Sequence, residues 1–522
     1  MEIMDNIDEL MKMKRGIDCL ADAIRITLGP TGRNVCLGRG WMTPQVTNDG
    51  KSVFENMVFG EPLENIGAQL IREVAEKTNK DVGSGATTSV ILAQSMISSG
   101  VKYIMGGANP LLLKRGMEIA VESAIRQMNS LAKPLENDKE LQNIIRTSVN
   151  NNMEFSSIIY DAIKKANDCS GIVVENSKTM DNSLEFHSGF SIERGYISDG
   201  MLNYKELGQC VYDNVDILLI DKKFVEIEDI YPILELVLSR KKPLLMITDG
   251  LEDVALQVVN LNNQKGKISV VAIQASTFGD NRIDEFLDIE ALVGGVAITK
   301  DMLSSGVNID QDMLGHAERV VIDKDTTTII GGDKNNEKIN NRIKVIKEQL
   351  KRADSKFVTE VCQSRLQKLV GNTIVLKISA VTEVEFNEKK RHIEKALRAC
   401  VEAKDHGYVV GGEVSYIFLI PRLEEEQKVQ QENDVKLGMQ IITEALKQPL
   451  MQLLYNAGKE PEIIFENIQE YRYGMGYNLF TEKIENLDEA GIIEPVMVTK
   501  MALINSSSMA KMMLTVGRAI TE

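Results

Sequence analysis

The stretch from Asn79 to Gly100, "NKDVGSGATTSVILAQSMISSG", decides how the rest of the chain is read. Gly83 and Gly85 tolerate the backbone angles of a tight turn, and the apolar residues behind them recur at helical spacing. A glycine turn that opens a helix presents backbone N–H groups at the positive end of the helix dipole, which suits phosphate. The residue between the two glycines is Ser84, where a metal-dependent phosphate loop needs a carboxylate. By itself the turn reads equally as a plain connector.

Two further segments share this ambiguity. "RITLGPTGRNV" turns at Gly29, Pro30 and Gly32 and frees more N–H groups. "VTNDGKSV" holds Asp49 in an Asp-Gly turn, which is either a hairpin connector or an acid that orders water or a cation beside phosphates. Neither glycine segment has the Gly-x-x-x-x-Gly-Lys-Ser/Thr spacing of a Walker loop or the dinucleotide pattern of three spaced glycines.

The bulk composition narrows the class. A chain of 522 residues exceeds one hydrophobic core and points to two to four domains. Its net charge of -16 argues against nucleic acid as the main partner, since a backbone binder needs surplus Lys and Arg. The six cysteines are scattered, with no CxxC pair, which fits single thiols in a reducing compartment. No apolar run reaches membrane-spanning length and the charged N-terminus lacks a signal core, so a cytoplasmic protein is expected.

Texture changes along the chain. "ENIGAQLIREVAEKTN" places Ile66, Leu70, Val74 and Ala75 on one helical face. From about Phe186, runs such as "VDILLID", "PLLMITD" and "ISVVAIQA" alternate with helical segments, the pattern of an α/β unit. Long helices return after about Gly371, so a central domain is expected inside a helical one, with Gly189, Gly371 and Gly407 either hinges or ordinary turns. Within the central part, "EIEDIYPILELVLSRKK" is apolar over more than one stripe. That pattern means burial on two sides or an open face for other proteins.

Ten segments in this order, among them "TLGPTGRNV", "TNDGKSV", "GSGATTSVILAQ", "RVVIDKDTTTII", "TEVEFNEKKRHIEKAL", "VVGGEVSY" and "GIIEPVMVTKMAL", resemble the group I chaperonins, the GroEL family, almost end to end. The resemblance implies a multidomain α and α/β subunit: a helical equatorial domain (1–130 and 406–522), a small intermediate domain (131–187 and 374–405) and an inserted α/β apical domain (188–373). It implies ATP with Mg²⁺ and K⁺, a homo-oligomeric and probably seven-membered ring, non-native polypeptides as clients and a GroES-type co-chaperonin, with no role for nucleic acid or membrane. The nucleotide contacts it carries over are Thr27, Leu28, Gly29, Pro30, Asn48, Gly83, Ser84, Gly85, Ala86, Thr87, Thr88, Gly412, Asn478, Leu479, Phe480 and Glu494. The client face it carries over comprises Tyr196, Met201, Leu202, Tyr231, Leu234, Leu256, Val259 and Leu261.

The sequence departs from the family at the chemistry. The family loop carries an Asp for Mg²⁺ where Ser84 stands, and Ala86 replaces its first Thr. A helix Asp that activates the attacking water is replaced by Lys395, which cannot accept a proton while charged. Glu413 replaces the last glycine of a Gly-Gly-Gly turn, Asn48 replaces a Lys, and Gly200 and Asn260 fall where the client face is apolar. Asp49 is the retained acid, and Asp81 reads as a loop acid facing solvent. The expectation is an ATP-binding chaperonin; its alternative is a non-hydrolysing or very slow paralogue that acts as a holding ring or mixed-ring subunit.

Overall fold

The computed structural model describes residues 6–39, 42–47, 50, 53–54, 57, 59–149, 151–166, 172–177, 181–204, 208–277, 280–307, 309–332, 336–351, 358, 361–362, 365–366, 368–369 and 372–518. Asn48, Asp49 and Gly371 lie outside them. The chain divides into two compact units, one of Met1–Tyr160 with His392–Glu522 and the other of Asp161–Arg391.

The first unit begins with four long helices: α1 (Asn6–Arg25), α2 (Pro62–Val82), α3 (Ala86–Met105) and α4 (Pro110–Leu131). Between α1 and α2, β1 (Val35–Arg39) pairs antiparallel with β2 (Met42–Thr47). α2 starts where Glu61 accepts the N–H of Glu64 at 2.7 Å, and Pro62 occupies its first turn, where an amide hydrogen would have no helical partner. It stops at Gly83, whose φ of 69° lets its N–H donate to the Asn79 carbonyl at 2.8 Å. Of the expected stripe, Val74 and Ala75 are buried while Ile66 and Leu70 pack half-buried against the same core. Helices α1 and α2 touch backbone to backbone, because a Cβ on Gly16 would stand 1.8 Å from the Glu64 carbonyl oxygen.

The second unit is built on one sheet. Its strands in chain order are β3 (Ile172–Asn176), β4 (Ser183–Ile192), β5 (Cys210–Phe224), β6 (Leu244–Leu251) and β7 (Val270–Gln274). They are followed by β8 (Ala297–Ile298), β9 (Gly315–Ile322), β10 (Thr327–Ile330) and β11 (Asn372–Ile378). The spatial order is β3-β11-β4-β10-β9-β5-β6-β7, with β8 beside β5. The three β-rich runs picked out from sequence are the neighbours β5, β6 and β7, parallel through Ile217 to Leu245 and Leu245 to Val271. Residues 215–220, 244–248 and 270–273 are buried without alternation, as parallel strands covered on both faces must be.

Helix α5 (Ile227–Arg240) joins β5 to β6, and α6 (Asp253–Gln264) joins β6 to β7. The apolar excess of α5 divides between the two readings: Ile230, Ile233, Leu234 and Val237 are buried, whereas Tyr231 and Leu238 are about half exposed, at 55% and 51%.

The chain returns to the first unit through α7 (Glu383–His406), whose residues from His392 onward belong there. It continues through β12 (Tyr408–Val410), α8 (Asn433–Asn456), the hairpin of β13 (Met475–Asn478) and β14 (Lys483–Asn486), β15 (Ile493–Pro495) and α9 (Val496–Leu514). Leu113, Met117, Ala120 and Ala124 of α4 share one core with Met439, Ile442, Ala445 and Leu446 of α8. That packing depends on glycine on both sides. A Cβ on Gly116 would lie 2.1 Å from the Val435 carbonyl oxygen, and one on Gly438 2.2 Å from that of Leu113.

Gly438→Ala is therefore expected to lower stability by about 1–3 kcal/mol, the usual cost of forcing a methyl into a closed core. Gly60→Ala, at a position with open space around it, should stay within about 0.5 kcal/mol of the parent. Urea unfolding of both variants followed by circular dichroism checks this, and equal midpoints would contradict the packing account.

Candidate functional site

Three segments meet at the start of α3. Gly83 and Gly85 both take left-handed angles, φ 69° and 81°, with Ser84 between them. Both positions are also crowded: a Cβ on Gly83 would meet Arg398 Cδ at 2.7 Å, and one on Gly85 would meet Val498 Cγ1 at 3.0 Å. The helix begins at Ala86, and its first such bond runs from the Ser89 N–H to the Gly85 carbonyl. The N–H groups of Ala86, Thr87 and Thr88 are thus the unpaired donors that any helix start leaves.

The turn after α1 faces the same place. Thr27 and Leu28 donate their N–H groups back to Ile24 and Arg25, and Gly29 turns the chain at φ 82°. Asn456 of α8 fixes this turn by donating to the carbonyls of Arg25 and Leu28 at 2.9 and 3.0 Å. Leu28 is buried with Ile91 of α3 and Leu453 of α8, and Leu479 packs against them. Gly50 completes the convergence, since its ideal Cβ would lie 2.9 Å from Thr87 Oγ1 and 3.7 Å from Thr27 Oγ1.

The third segment comes from the far end of the chain. β12 pairs antiparallel with β15, setting Val409 opposite Glu494. The following residues Gly412 and Glu413 both have left-handed angles, φ 69° and 62°. For a glycine that is free; for a glutamate it is strained, and a compensating contact is expected. That contact is present: Thr88 Oγ1 donates to Glu413 Oε1 at 2.7 Å. Thr499 Oγ1 in turn donates to Glu494 Oε1 at 3.2 Å. Glu413, Glu494, Thr88 and Thr499 line one small cavity together with Tyr416, Val498 and Ala502.

Two carboxyls in one enclosed cavity cannot both ionise easily. Burial raises Glu413 far above the ordinary carboxylate range, and the Thr88 hydrogen bond offsets only part of this. Burial likewise raises Glu494, with the neighbouring Glu413 charge adding to it and Thr499 and Lys395 opposing it. Lys395, on an exposed turn of α7, therefore acts electrostatically on Glu494.

The remaining sequence candidates are placed as follows. Asn478 is buried, donates to Glu485 Oε1 at 2.6 Å and accepts the Phe480 N–H at 2.9 Å, while the Phe480 ring is 60% exposed. Asp81 is exposed, as expected, but lies in the last turn of α2 and not in the loop; Asn505 of α9 donates to it at 3.3 Å and to Thr78 at 3.1 Å. In the second unit Tyr231 and Leu261 are exposed, and Tyr196, Leu202 and Leu256 are half-buried. Met201, Leu234 and Val259 are core residues, because they fill the contact between the sheet and its helices. Gly200 and Asn260 are a matched pair: a Cβ on Gly200 would stand 2.6 Å from the Asn260 side chain, which donates to Ser198 Oγ at 2.9 Å.

Residues 20–522 match the sequence model of the TCP-1/cpn60 chaperonin family. The fold is also similar to a crystal structure of the chaperonin gp146 from bacteriophage EL, in presence of ATP-BeFx. That similarity has a TM-score of 0.71 at 18% identity and covers 98% of this chain and 97% of that one.

The carboxyl pair gives a pH prediction. Both folded-state pKa values are raised, so between the ordinary carboxylate range and the raised values the folded protein holds protons that the unfolded chain has lost. This contribution to stability is present at low pH and is lost as pH rises through the raised values. Glu413→Gln removes it, so the variant should match the parent near pH 5 and exceed its thermal midpoint by about 2 °C or more near pH 8.5. Parallel profiles in differential scanning fluorimetry would show that the pair stays ionised.

Proposed function

This chain belongs to the TCP-1/cpn60 chaperonin family, and we propose that it is a divergent group I member: an ATP-binding ring subunit that holds non-native polypeptides under nucleotide control. The observation that carries the nucleotide reading is the convergence of the Thr27–Pro30 turn, Gly50 and the Gly83–Thr88 loop at the start of α3. There the helix-start N–H groups of Ala86, Thr87 and Thr88 would bind phosphate oxygens, Gly83 and Gly85 would let backbone approach closely, and Leu479 and Phe480 would flank the remainder of the nucleotide.

The donor set does not fit a magnesium ion held by the protein at the loop. Ser84 offers a neutral hydroxyl where a hard divalent cation needs an anionic oxygen. Asp49, the retained acid, lies outside the described residues and is the remaining candidate to order a water or cation. Lys395 is a cation that cannot take a proton from water. Ser84 and Lys395 favour the second reading, in which the subunit holds nucleotide with slow or no hydrolysis and serves as a holding ring or mixed-ring partner.

Client contact belongs to the second unit, on the exposed Tyr231 and Leu261 with the half-buried Leu202 and Leu256. A homo-oligomeric ring, seven-membered as in the group I pattern, a GroES-type lid, the equatorial, intermediate and apical layout and a cytoplasmic setting are part of the same proposal. Among the described residues no helix is long and apolar enough to cross a membrane.

Phosphate release from ATP with Mg²⁺ and K⁺ tests the chemistry. The natural chain should turn over about 10² to 10⁴ times more slowly than the Ser84→Asp, Lys395→Asp double variant, the usual worth of a general base. Equal rates would overturn the disabled-site reading, and a monomer by light scattering would overturn the ring.

A further inference from the structure

Glu413 does something that neither the glycine loop nor the family pattern explains. It is a non-glycine residue in the left-handed region, at φ 62°, and its carboxylate reaches the first turn of α3, the turn that begins the phosphate-facing helix. It occupies the Thr88 hydroxyl at 2.7 Å and lines one small, half-buried cavity with Glu494. A carboxylate at that point places negative charge behind the helix-start N–H groups, where an arriving polyphosphate would add several more.

We propose that Glu413 gates the phosphate loop: while ionised it holds Thr88 and repels polyphosphate, and nucleotide enters as the Glu413–Glu494 pair takes up a proton. This rests on the nucleotide reading above. The groups facing Glu413 are Glu494 from β15, Tyr416 from the turn Val414–Ile417, the hydroxyls of Thr88 from α3 and Thr499 from α9, and Lys395 of α7 beyond Glu494. Thr88 and Thr499 donate to the two carboxyls. The Tyr416 hydroxyl donates to the Thr499 carbonyl at 2.7 Å, and so does not neutralise the pair. Lys395 acts on Glu494, whereas Glu413 is the member whose carboxylate touches the first turn of α3 and so lies nearer an anion at the loop. Burial of the pair raises both carboxyls and supports the same direction.

The sign follows from linkage. Binding that takes up a proton weakens as pH rises, by up to about tenfold per pH unit for one proton. Glutamine keeps the shape and the Thr88 contact without the charge; glycine also removes the left-handed strain, and serves where glutamine disturbs folding.

The test is titration calorimetry of the full chain with ATP and Mg²⁺ at pH 6 and pH 8, each in two buffers of different ionisation enthalpy. The parent should bind more weakly at pH 8 with net proton uptake. Glu413→Gln and Glu413→Gly should bind more tightly than the parent at pH 8, converge with it at pH 6, and take up fewer protons. The titration of ATP itself is common to all three and cancels. Parallel pH profiles with equal proton counts would overturn the gate while leaving the nucleotide site standing. No binding by any of the three proteins at either pH would overturn the nucleotide site and the gate with it.

Discussion

The first unit depends on residues from opposite ends of the chain closing on α3. Val90, Leu92, Ala93, Met96 and Ile97 are fully or almost fully buried, in a core shared with α1, α8 and α9. A helix enclosed in this way cannot shift or turn without opening the whole core. Its first turn is therefore a fixed point, and the Thr27–Pro30 turn, Gly50 and the Gly412–Glu413 turn are set against it by independent contacts: Asn456, Thr87 and Thr88 respectively. The glycines at 16, 67, 116 and 438 act at a distance from this point but serve it, because they fix how closely the flanking helices approach.

A rigid first turn makes the replaced side chains decisive. The scaffold that presents N–H groups at α3 is backbone, so it survives the change from carboxylate to Ser84. What changes is the sign and position of charge. Residue 84 of the loop is a neutral Ser, residue 395 of α7 is a Lys, and residue 413 on the cavity wall is a Glu. Lys395 and Glu413 both act electrostatically on Glu494, so residues 395, 413 and 494 form one local charge arrangement.

Much of this was legible from sequence, for identifiable reasons. The parallel strands β5 to β7 were found because strands buried on both faces read as continuous apolar runs, and the loop because ten collinear segments resembling one family gave its glycine turn a meaning that the turn alone did not carry. The Glu413 substitution was visible, but its partner was not: Thr88 lies 325 residues away, and no local pattern encodes a contact set by tertiary folding. Asp81 is exposed, as read from sequence, but its contact with Asn505 was hidden for the same reason, since Asn505 is supplied by the last helix. On α5 and α6 the sequence gives the apolar count but not its division, so Tyr231 and Leu261 could not be separated from Leu234 and Val259 before the sheet was placed beneath them.

The left-handed Glu413 also bears on how the site holds its shape. A non-glycine residue in that region costs of order 1 kcal/mol, and a buried unpaired carboxylate would cost more. The Thr88 hydrogen bond offsets the second cost, and protonation, which burial favours, reduces it further. Neither offset acts on the backbone strain, which glycine at this position would avoid. The structure thus carries a small conformational cost at a carboxyl beside the helix start, half-buried in the cavity lined by Thr88, Tyr416 and Thr499.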